Sequence, residues 1–434
     1  MPKFVVEGGR PIQGTVRPAG NKNAALPILA ATLLSDEDIV LENVPDIKDV
    51  RTLIELLSLL GAHVEWSGPN CVKVNAADVR DYAIDPALAA RIRASILLAG
   101  PMLARIGRMV LPPPGGDVIG RRRVDTHFLA LSKLGAAVQS DAGYTLETSG
   151  LRGADIFLDE PSVTATENAV MAAAMAKGSS RIRNAAAEPH VQDLCHMLNG
   201  LGAKISGIGT SILEFEGVDR LRGGRFRLTS DHIEVGSFIG LAAVTAGEVL
   251  IEDAAIEHLD STLLAFERMG IRCEVRGRDV FVPARQERVI RTDVGGHIPK
   301  IDDGPWPAFP ADLTSIALVV ATQCRGTILI FEKMFESRMF FADKIIGMGA
   351  RIVLCDPHRA VVVGPSRLHA AVLESPDIRA GMALLIAALG AEGESHIFNI
   401  GQIERGYERI DERLRGLGAS ISREDSRGDF EEAR

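Results

Sequence analysis

A short junction recurs six times along this 434-residue chain. Each copy is a large apolar residue, a glycine and a small or apolar residue, between a helix-like and a strand-like segment. The copies lie at 60–62, 134–136, 201–203, 269–271, 348–350 and 417–419, with their glycines 67 to 79 residues apart. Glycine adopts the left-handed backbone that ends many helices without a Cβ penalty. The junctions therefore predict six copies of one helix-to-strand unit.

Most units carry a second helix, rich in small residues, upstream of the junction. The predicted segments are 23–34, 167–176, 236–246, 313–321 and 378–389, with short strands such as 39–42 and 249–252 after them. Small residues let helices approach closely, so we expect these helices to be buried among one another. Solenoid stacking is an alternative, but solenoid repeats usually span only about 20–45 residues. We predict an α/β fold of two pseudo-symmetric domains with three repeats each.

Composition excludes several classes of protein. The net charge of -9 disfavours a broad nucleic-acid surface. No apolar stretch reaches the ~20 residues of a membrane span, and the first residues do not resemble a secretory signal, so we expect a cytoplasmic protein. Five scattered cysteines form no zinc motif and predict buried, reduced thiols. Neither a dinucleotide fingerprint nor a triphosphate-binding loop is present, and no metal or organic cofactor is expected.

The basic residues are unevenly divided, with 38 Arg and 10 Lys. Arginine binds phosphate and carboxylate in a bidentate manner, so a local anion site is compatible with the acidic overall charge. Lys22 stands at the predicted start of the first helix, where a cation is electrostatically unfavourable and an anion would relieve it. Asn21 or Asn23 can serve as the N-cap of this helix.

A loop rich in Pro and Gly replaces a simple turn at 112–125. Its composition indicates a shaped but movable segment, as in a lid. Asp117 lies between glycines of this loop and close to three arginines. It is compatible with an ordinary loop carboxylate or with a positioned proton donor.

Further charges lie at the edges of the later repeats. Asp312 and Asp377 are compatible with helix caps, and Arg338, Arg379 and Arg405 with solvated surface residues. Together with Lys22, Arg93 and Arg122, however, they suit a substrate that bears several negative charges.

Six segments, in this order, carry a resemblance to a known family: 20–24 (GNKNA), 115–120 (GGDVIG), 161–168 (PSVTATEN), 184–189 (NAAAEP), 309–312 (FPAD) and 405–410 (RGYERI). With them the chain resembles the enolpyruvyl transferases, and specifically their UDP-N-acetylglucosamine branch, from about residue 4 to residue 420. The resemblance implies two inside-out α/β domains of three repeats. Residues 22–229 would form one domain, which carries Asp117. Residues 1–21 and 230–434 would form the other, with a discontinuous N-terminal strand.

The same resemblance implies a reaction. The enolpyruvyl group of phosphoenolpyruvate (PEP) would move to the 3-hydroxyl of UDP-N-acetylglucosamine, with release of phosphate, as the first committed step of peptidoglycan precursor synthesis. The route would be addition and elimination through a tetrahedral ketal, which needs an acid, a base and cations. The catalytic positions would be Asp117, Asp312, Lys22, Arg405 and Asp377.

Binding residues are implied in the same way. For PEP they are Lys22, Asn23, Arg122, Arg338, Arg379 and Arg405. For the UDP-sugar they are Asn23, Arg93, Arg122, Arg123, Val124, Asp125, Thr126, Glu160, Pro161, Ser162, Val163, Thr164, Asp312 and Met334.

The sequence departs from the usual family pattern at four of these positions. Asp117 replaces a cysteine of the mobile loop, which predicts that the epoxide antibiotic fosfomycin does not alkylate the protein there. Glu160 stands where lysine is often found, Thr164 where glycine is usual and Arg123 where proline is common. These changes leave open a paralogue that acts on another UDP-sugar.

Two further alternatives are the shikimate 3-phosphate branch of the same fold and a catalytically silent regulator that binds UDP-sugars. The charged segment from residue 422 to residue 434 lies past the sixth repeat and is expected to be disordered.

Overall fold

The structure is a computed structural model that describes residues 2–117 and 119–425. Its strands are β1 (Lys3–Glu7), β2 (Gln13–Val16), β3 (Ile39–Glu42), β4 (His63–Gly68), β5 (Cys71–Asn75), β6 (Arg108–Leu111), β7 (Ala137–Ser140), β8 (Tyr144–Glu147), β9 (Asp155–Phe157), β10 (Ser179–Arg183), β11 (Lys204–Ser206), β12 (Ile212–Glu216), β13 (Gly224–Arg227), β14 (Glu248–Ile251), β15 (Glu274–Arg276), β16 (Asp279–Val282), β17 (Lys300–Asp302), β18 (Gly326–Phe331), β19 (Arg351–Asp356), β20 (Arg359–Gly364), β21 (Val372–Glu374), β22 (Glu394–Phe398) and β23 (Ser420–Glu424).

The α-helices are α1 (Lys22–Ala31), α2 (Lys48–Leu59), α3 (Pro86–Ala89), α4 (Ala99–Arg105), α5 (Asp125–Lys133), α6 (Val163–Ala174), α7 (Pro189–Gly200), α8 (His232–Thr245), α9 (Asp260–Arg268), α10 (Thr314–Thr322), α11 (Ala342–Gly347), α12 (Ile378–Gly390) and α13 (Ile410–Gly416). Short 3₁₀ turns lie at Thr32–Leu34, Arg93–Leu98, Ile256–His258, Val294–Gly296, Ala311–Leu313 and Ile403–Arg405.

The described residues form two compact units. The first comprises residues 2–19, 119–121 and 230–425, and the second comprises residues 20–117 and 122–229. Each unit contains three sheets. Those of the first are β21-β22-β1-β23, β15-β16-β14-β2 and β17-β18-β20-β19, and those of the second are β13-β3-β5-β4, β11-β12-β10-β9 and β6-β8-β7.

One pairing scheme repeats through the sheets. In each four-stranded sheet one parallel pair is followed by two antiparallel pairs, as in β17-β18-β20-β19. The three-stranded sheet has only the two antiparallel pairs, and an isolated parallel bridge between Ala83 and Val110 stands where the fourth strand would be. The predicted repeat is therefore visible in hydrogen bonding as well as in sequence.

Two central helices of the first unit, α8 and α10, are buried on all sides. Every residue of α8 and of α10 is buried, whereas strands such as β19 alternate exposed and half-buried residues. A Cβ on Gly240 of α8 would lie 2.5 Å from Ile316 Cγ2 of α10, so glycine is required for this close packing. With helices inside and sheets outside, the predicted α/β fold class is confirmed.

The six junction glycines behave as predicted. Gly61, Gly135, Gly202, Gly270, Gly349 and Gly418 all have positive φ angles, from 76° to 106°. Each directly follows the C-cap residue of a helix, as Gly61 follows Leu60, the C-cap of α2. Left-handed glycines thus end the second helix of all six repeats.

Two expectations need correction. The charged end of the chain is not wholly irregular, because residues 422–424 form the end of β23, paired with β1. Residues 426–434 lie outside the described part. Cys195 and Cys324 are buried as expected, but Cys355 is exposed on β19. Among the described helices, none combines the length and apolarity that crossing a bilayer requires.

Candidate active site

In the first unit, three of the predicted site residues form one ion-pair network. Arg338 Nη1 donates to Asp312 Oδ1 at 2.8 Å, and Arg379 Nε donates to Asp312 Oδ2 at 3.0 Å. Both arginine side chains are only 6% exposed, so they are not the solvated surface residues that the sequence also allowed. Asp312 lies in a 3₁₀ turn, and its carboxylate faces the two guanidinium groups instead of capping a helix.

The charge of Asp312 is set by this environment. Burial alone would raise its pKa, but the charges of Arg379 and Arg338 and their hydrogen bonds outweigh burial and hold the pKa well below its usual range. Asp312 is therefore ionised at every physiological pH. An anion that drew the two guanidinium groups away would make this carboxylate more basic.

The other predicted residues of this unit lie on neighbouring segments. Asp377 caps α12, and its Oδ1 accepts from the backbone N–H groups of Arg379 and Ala380. Arg405 ends a 3₁₀ turn and donates to Gln402 Oε1 at 2.9 Å. Met334 is 40% exposed. The cap interpretation is thus correct for Asp377, while Arg405 contacts Gln402.

In the second unit, Lys22 begins α1 and Asn21 is the N-cap, accepting from the backbone N–H groups of Asn23 and Ala24. Lys22 Nζ lies 2.9 Å from Oδ2 of Asp49. The anion that the sequence required near Lys22 is therefore supplied by the first turn of α2.

The loop that carries Asp117 packs closely against the segment before the 3₁₀ turn Arg93–Leu98. A Cβ on Gly115 would lie 1.8 Å from the Ala90 carbonyl oxygen, so only glycine fits. Arg93 Nη2 donates to the carbonyl oxygens of Arg122 and Arg123 at 2.7 and 3.0 Å. Burial, together with the charge of Arg122, lowers the pKa of Arg93 to about 10. The Arg93 side chain thus holds the end of the loop by donating to the main-chain carbonyl groups of the loop.

The predicted UDP-sugar positions converge at the starts of α5 and α6. Val124 precedes α5, Asp125 is its first residue, and Arg123 pairs with both Asp125 and Asp159. Thr126 Oγ1 donates to Asp159 Oδ1 at 2.7 Å. Glu160 and Pro161 lead into Ser162, which caps α6, and Val163 is its first residue.

Thr164, in the first turn of α6, has a fixed partner. Asn168 Oδ1 accepts from the Gly100 backbone N–H and its Nδ2 donates to the Ile96 carbonyl, which fixes the orientation of the amide. The same Nδ2 therefore also donates to His127 Nδ1 at 2.8 Å. His127 therefore carries its proton on Nε2 and donates it to Thr164 Oγ1 at 3.1 Å. Burial and the charge of Arg93 lower the pKa of His127 to about 3, so the ring is neutral.

The sequence did not reveal several partners in these networks: Asp49, Asp159, His127 and Asn168. Each is distant in sequence from the residue that it contacts, by 27 positions for Lys22 and Asp49. A required anion near Lys22 was the only signal, and it did not identify the residue that supplies it.

Comparison with known proteins agrees with this architecture. The profile of the family described as EPSP synthase (3-phosphoshikimate 1-carboxyvinyltransferase) matches residues 6–414. A UDP-N-acetylglucosamine 1-carboxyvinyltransferase of Bradyrhizobium diazoefficiens is 59% identical over 97% of this chain and 98% of its own. One of Treponema denticola is 56% identical over 97% and 99%.

A solved structure, the enolpyruvyl transferase NikO from Streptomyces tendae, has the same fold, with a TM-score of 0.85. It covers 97% of this chain and 98% of its own, at 24% identity. The resemblance inferred from the sequence motifs is thus confirmed, and the chain belongs to the EPSP synthase (3-phosphoshikimate 1-carboxyvinyltransferase) family.

Proposed function

We propose that this chain transfers the enolpyruvyl group of PEP to the 3-hydroxyl of UDP-N-acetylglucosamine and releases phosphate (EC 2.5.1.7). This is the first committed step of peptidoglycan precursor synthesis. The observation that carries the proposal is a relative, a UDP-N-acetylglucosamine 1-carboxyvinyltransferase, that is 59% identical over nearly the full length of both chains. A cytoplasmic location is part of the proposal, because both substrates are small cytoplasmic metabolites.

The addition step joins the sugar oxygen to C2 of PEP and delivers a proton to C3. In our proposal Asp117 donates that proton and Asp312 accepts the proton of the sugar hydroxyl. Elimination then breaks the bond between C2 and the phosphate oxygen. Phosphate leaves with the proton held by Asp312, and Asp117 takes a proton back from C3, which restores the double bond. Asp377 is assigned the position beside the reacting carbons.

The negative charges of PEP are assigned to the predicted lysine and arginine residues. Lys22, Arg122 and Arg405 bind the phosphate, and Arg338, Arg379 and Arg405 bind the carboxylate, with Asn23 beside them. The ion pairs of Asp312 support this assignment, since a substrate anion that engages Arg338 and Arg379 weakens their hold on Asp312. The carboxylate then becomes a stronger base only when substrate is bound.

The UDP-sugar is assigned to the starts of α1, α5 and α6, the 3₁₀ turn at Arg93 and the loop at Met334. The positions are Asn23, Arg93, Arg122–Thr126, Glu160–Thr164 and Met334. The backbone N–H groups at the start of α6 suit a diphosphate, and the Thr164 hydroxyl keeps its own proton for a further acceptor.

The test measures phosphate release from PEP with a panel of acceptors: UDP-N-acetylglucosamine, UDP-glucose and shikimate 3-phosphate. We expect release, and a higher melting temperature, with the N-acetylated sugar nucleotide. Release with shikimate 3-phosphate alone would contradict the proposal. A melting-temperature rise with a UDP-sugar but no release would identify a binding protein instead.

A further inference from the structure

Two buried carboxyl groups lie side by side behind the Asp312 network. Asp303 directly follows β17 and Glu332 directly follows β18, and these strands are parallel neighbours with Asp302 opposite Phe331. Both side chains are fully buried. Because the carboxyl ends of parallel strands meet at one edge of a sheet, the two acids are neighbours.

Their surroundings differ. The Asp303 carboxylate accepts the backbone N–H groups of Lys333 at 2.5 Å and Met334 at 3.3 Å, which stabilises its charge. Neither oxygen of Glu332 finds a partner of hydrogen-bond geometry among the described residues. Thr314 Oγ1, at the start of α10, is likewise unsatisfied. A buried carboxylate without hydrogen bonds is costly, so the uncharged acid is favoured at Glu332.

The groups that face Glu332 come from several elements. Asp303 approaches from β17, Thr314 from α10 and Arg338 from the segment after β18, while His358 Nδ1 contacts the Glu332 main-chain carbonyl at 2.7 Å. Burial raises the pKa of Glu332 most, Arg338 opposes this, Asp303 raises it and Thr314 lowers it, and the balance lies at about 8.

Arg338 connects this acid to the proposed PEP site. Its Nη1 donates to Asp312 and to the Ala311 carbonyl. Its Nε has no hydrogen-bond partner within the described part of the chain and lies 4.0 Å from Glu332 Oε2. The charge of Asp377 also acts on this guanidinium. Arg338 therefore lies between Asp312, which is permanently charged, and Glu332, which is uncharged at neutral pH.

We propose that Glu332 is a positioning residue for Arg338: as an uncharged acid it leaves the guanidinium charge available to a substrate anion, and its ionisation weakens anion binding. The inference rests on the proposed function, in which Arg338 binds the PEP carboxylate. Ionisation would place a second full negative charge 4.0 Å behind Arg338. At this separation, we expect the ionisation of Glu332 to weaken the affinity of Arg338 for an anion roughly tenfold.

The kinetic test follows the KM for PEP from about pH 7 to about pH 9.5 in the wild type, Glu332→Gln and Asp343→Asn. Asp343 is an exposed acid of α11, and its substitution likewise replaces one carboxyl group by an amide. In the wild type and Asp343→Asn, the KM for PEP should rise ~tenfold with pH while the KM for the sugar nucleotide stays constant. In Glu332→Gln this rise should be absent. An identical rise in all three proteins would overturn the proposal.

A second measurement does not depend on turnover. A carboxyl whose pKa is raised in the folded protein costs stability as pH rises from its ordinary value of 4.5 towards about 8, because only the unfolded chain loses the proton. Glu332→Gln should therefore melt at the same temperature as the wild type near about pH 4.5 and at a progressively higher temperature towards pH 8. A difference that does not change with pH would contradict an uncharged Glu332.

The two readouts separate this inference from the proposed function. Wild-type protein that releases no phosphate would contradict the proposed function, and with it the role at Arg338, even where the melting temperatures follow pH as expected. Wild-type turnover with a pH-independent melting difference would contradict only the Glu332 inference.

Discussion

Lys22 and Asp49 form a buried ion pair, with Nζ 2.9 Å from Oδ2 and side chains that are 8% and 6% exposed. The pair joins the first turns of α1 and α2. It explains how a lysine can stand at the positive end of a helix, because the chain supplies the counter-charge. In our proposal the PEP phosphate competes with Asp49 for the same ammonium group.

Removing one partner should expose the cost of this burial. We expect Asp49→Asn to lower the free energy of unfolding by about 3 kcal/mol, because it leaves Lys22 buried without a counter-charge. The exposed pair between Arg51 and Asp46 provides the control, and Asp46→Asn should cost less than about 1 kcal/mol. Urea unfolding of both variants measures the difference, and equal losses would contradict the assignment.

Asp312 should give the protein an acid-sensitive part of its stability. Because its pKa is lowered in the folded protein, its contribution is complete above the ordinary value of 3.8 and is lost as pH falls below it. The melting-temperature advantage of wild type over Asp312→Asn should therefore shrink below about pH 4. Glu392→Gln, which breaks an exposed pair with Arg367, is the control and should have little effect. An advantage that is unchanged down to about pH 2 would argue against the network.

The loop before Asp117 should not tolerate a side chain at Gly115. A Cβ there meets the Ala90 carbonyl, so Gly115→Ala must displace the backbone two residues before the proposed acid. A displacement of about 1 Å at a catalytic group can cost on the order of 100-fold in rate, and we expect kcat to fall by that order. Gly200→Ala, at a helix end with open space around it, is the matched control. Similar kcat values for the two variants would rule out this constraint.

Fosfomycin should not modify this protein at position 117. A carboxylic acid can replace a thiol as proton donor but does not react with the epoxide as the thiol does. Intact-mass and peptide analysis after incubation should find no adduct in the wild type, whereas Asp117→Cys should gain one. An adduct on Asp117 itself would contradict this prediction.

The repeat could be predicted from sequence because its signal is local. Each junction glycine has a positive φ, and five of the six buried helices were located from their small residues. The second repeat escaped prediction because its helix is split into the 3₁₀ turn Arg93–Leu98 and the short α4, which contains Gly100 and Pro101.

Charge networks were harder to predict, because no local pattern joins residues as distant as Asp312 and Arg379. The sequence motifs indicated which charges matter but not which of them pair. Glu332 gave no signal at all, since an acid after an apolar strand resembles an ordinary loop residue. Its burial follows only from the pairing of β17 with β18.

The most direct test of the central claim is sugar-dependent phosphate release from PEP, measured together with the mass of the sugar product, in wild type and Asp117→Asn. The proposed function predicts one phosphate per enolpyruvyl sugar nucleotide in the wild type and a loss of at least ~100-fold in the variant. Wild-type protein that is folded, binds UDP-N-acetylglucosamine and yet forms no enolpyruvyl product would contradict it.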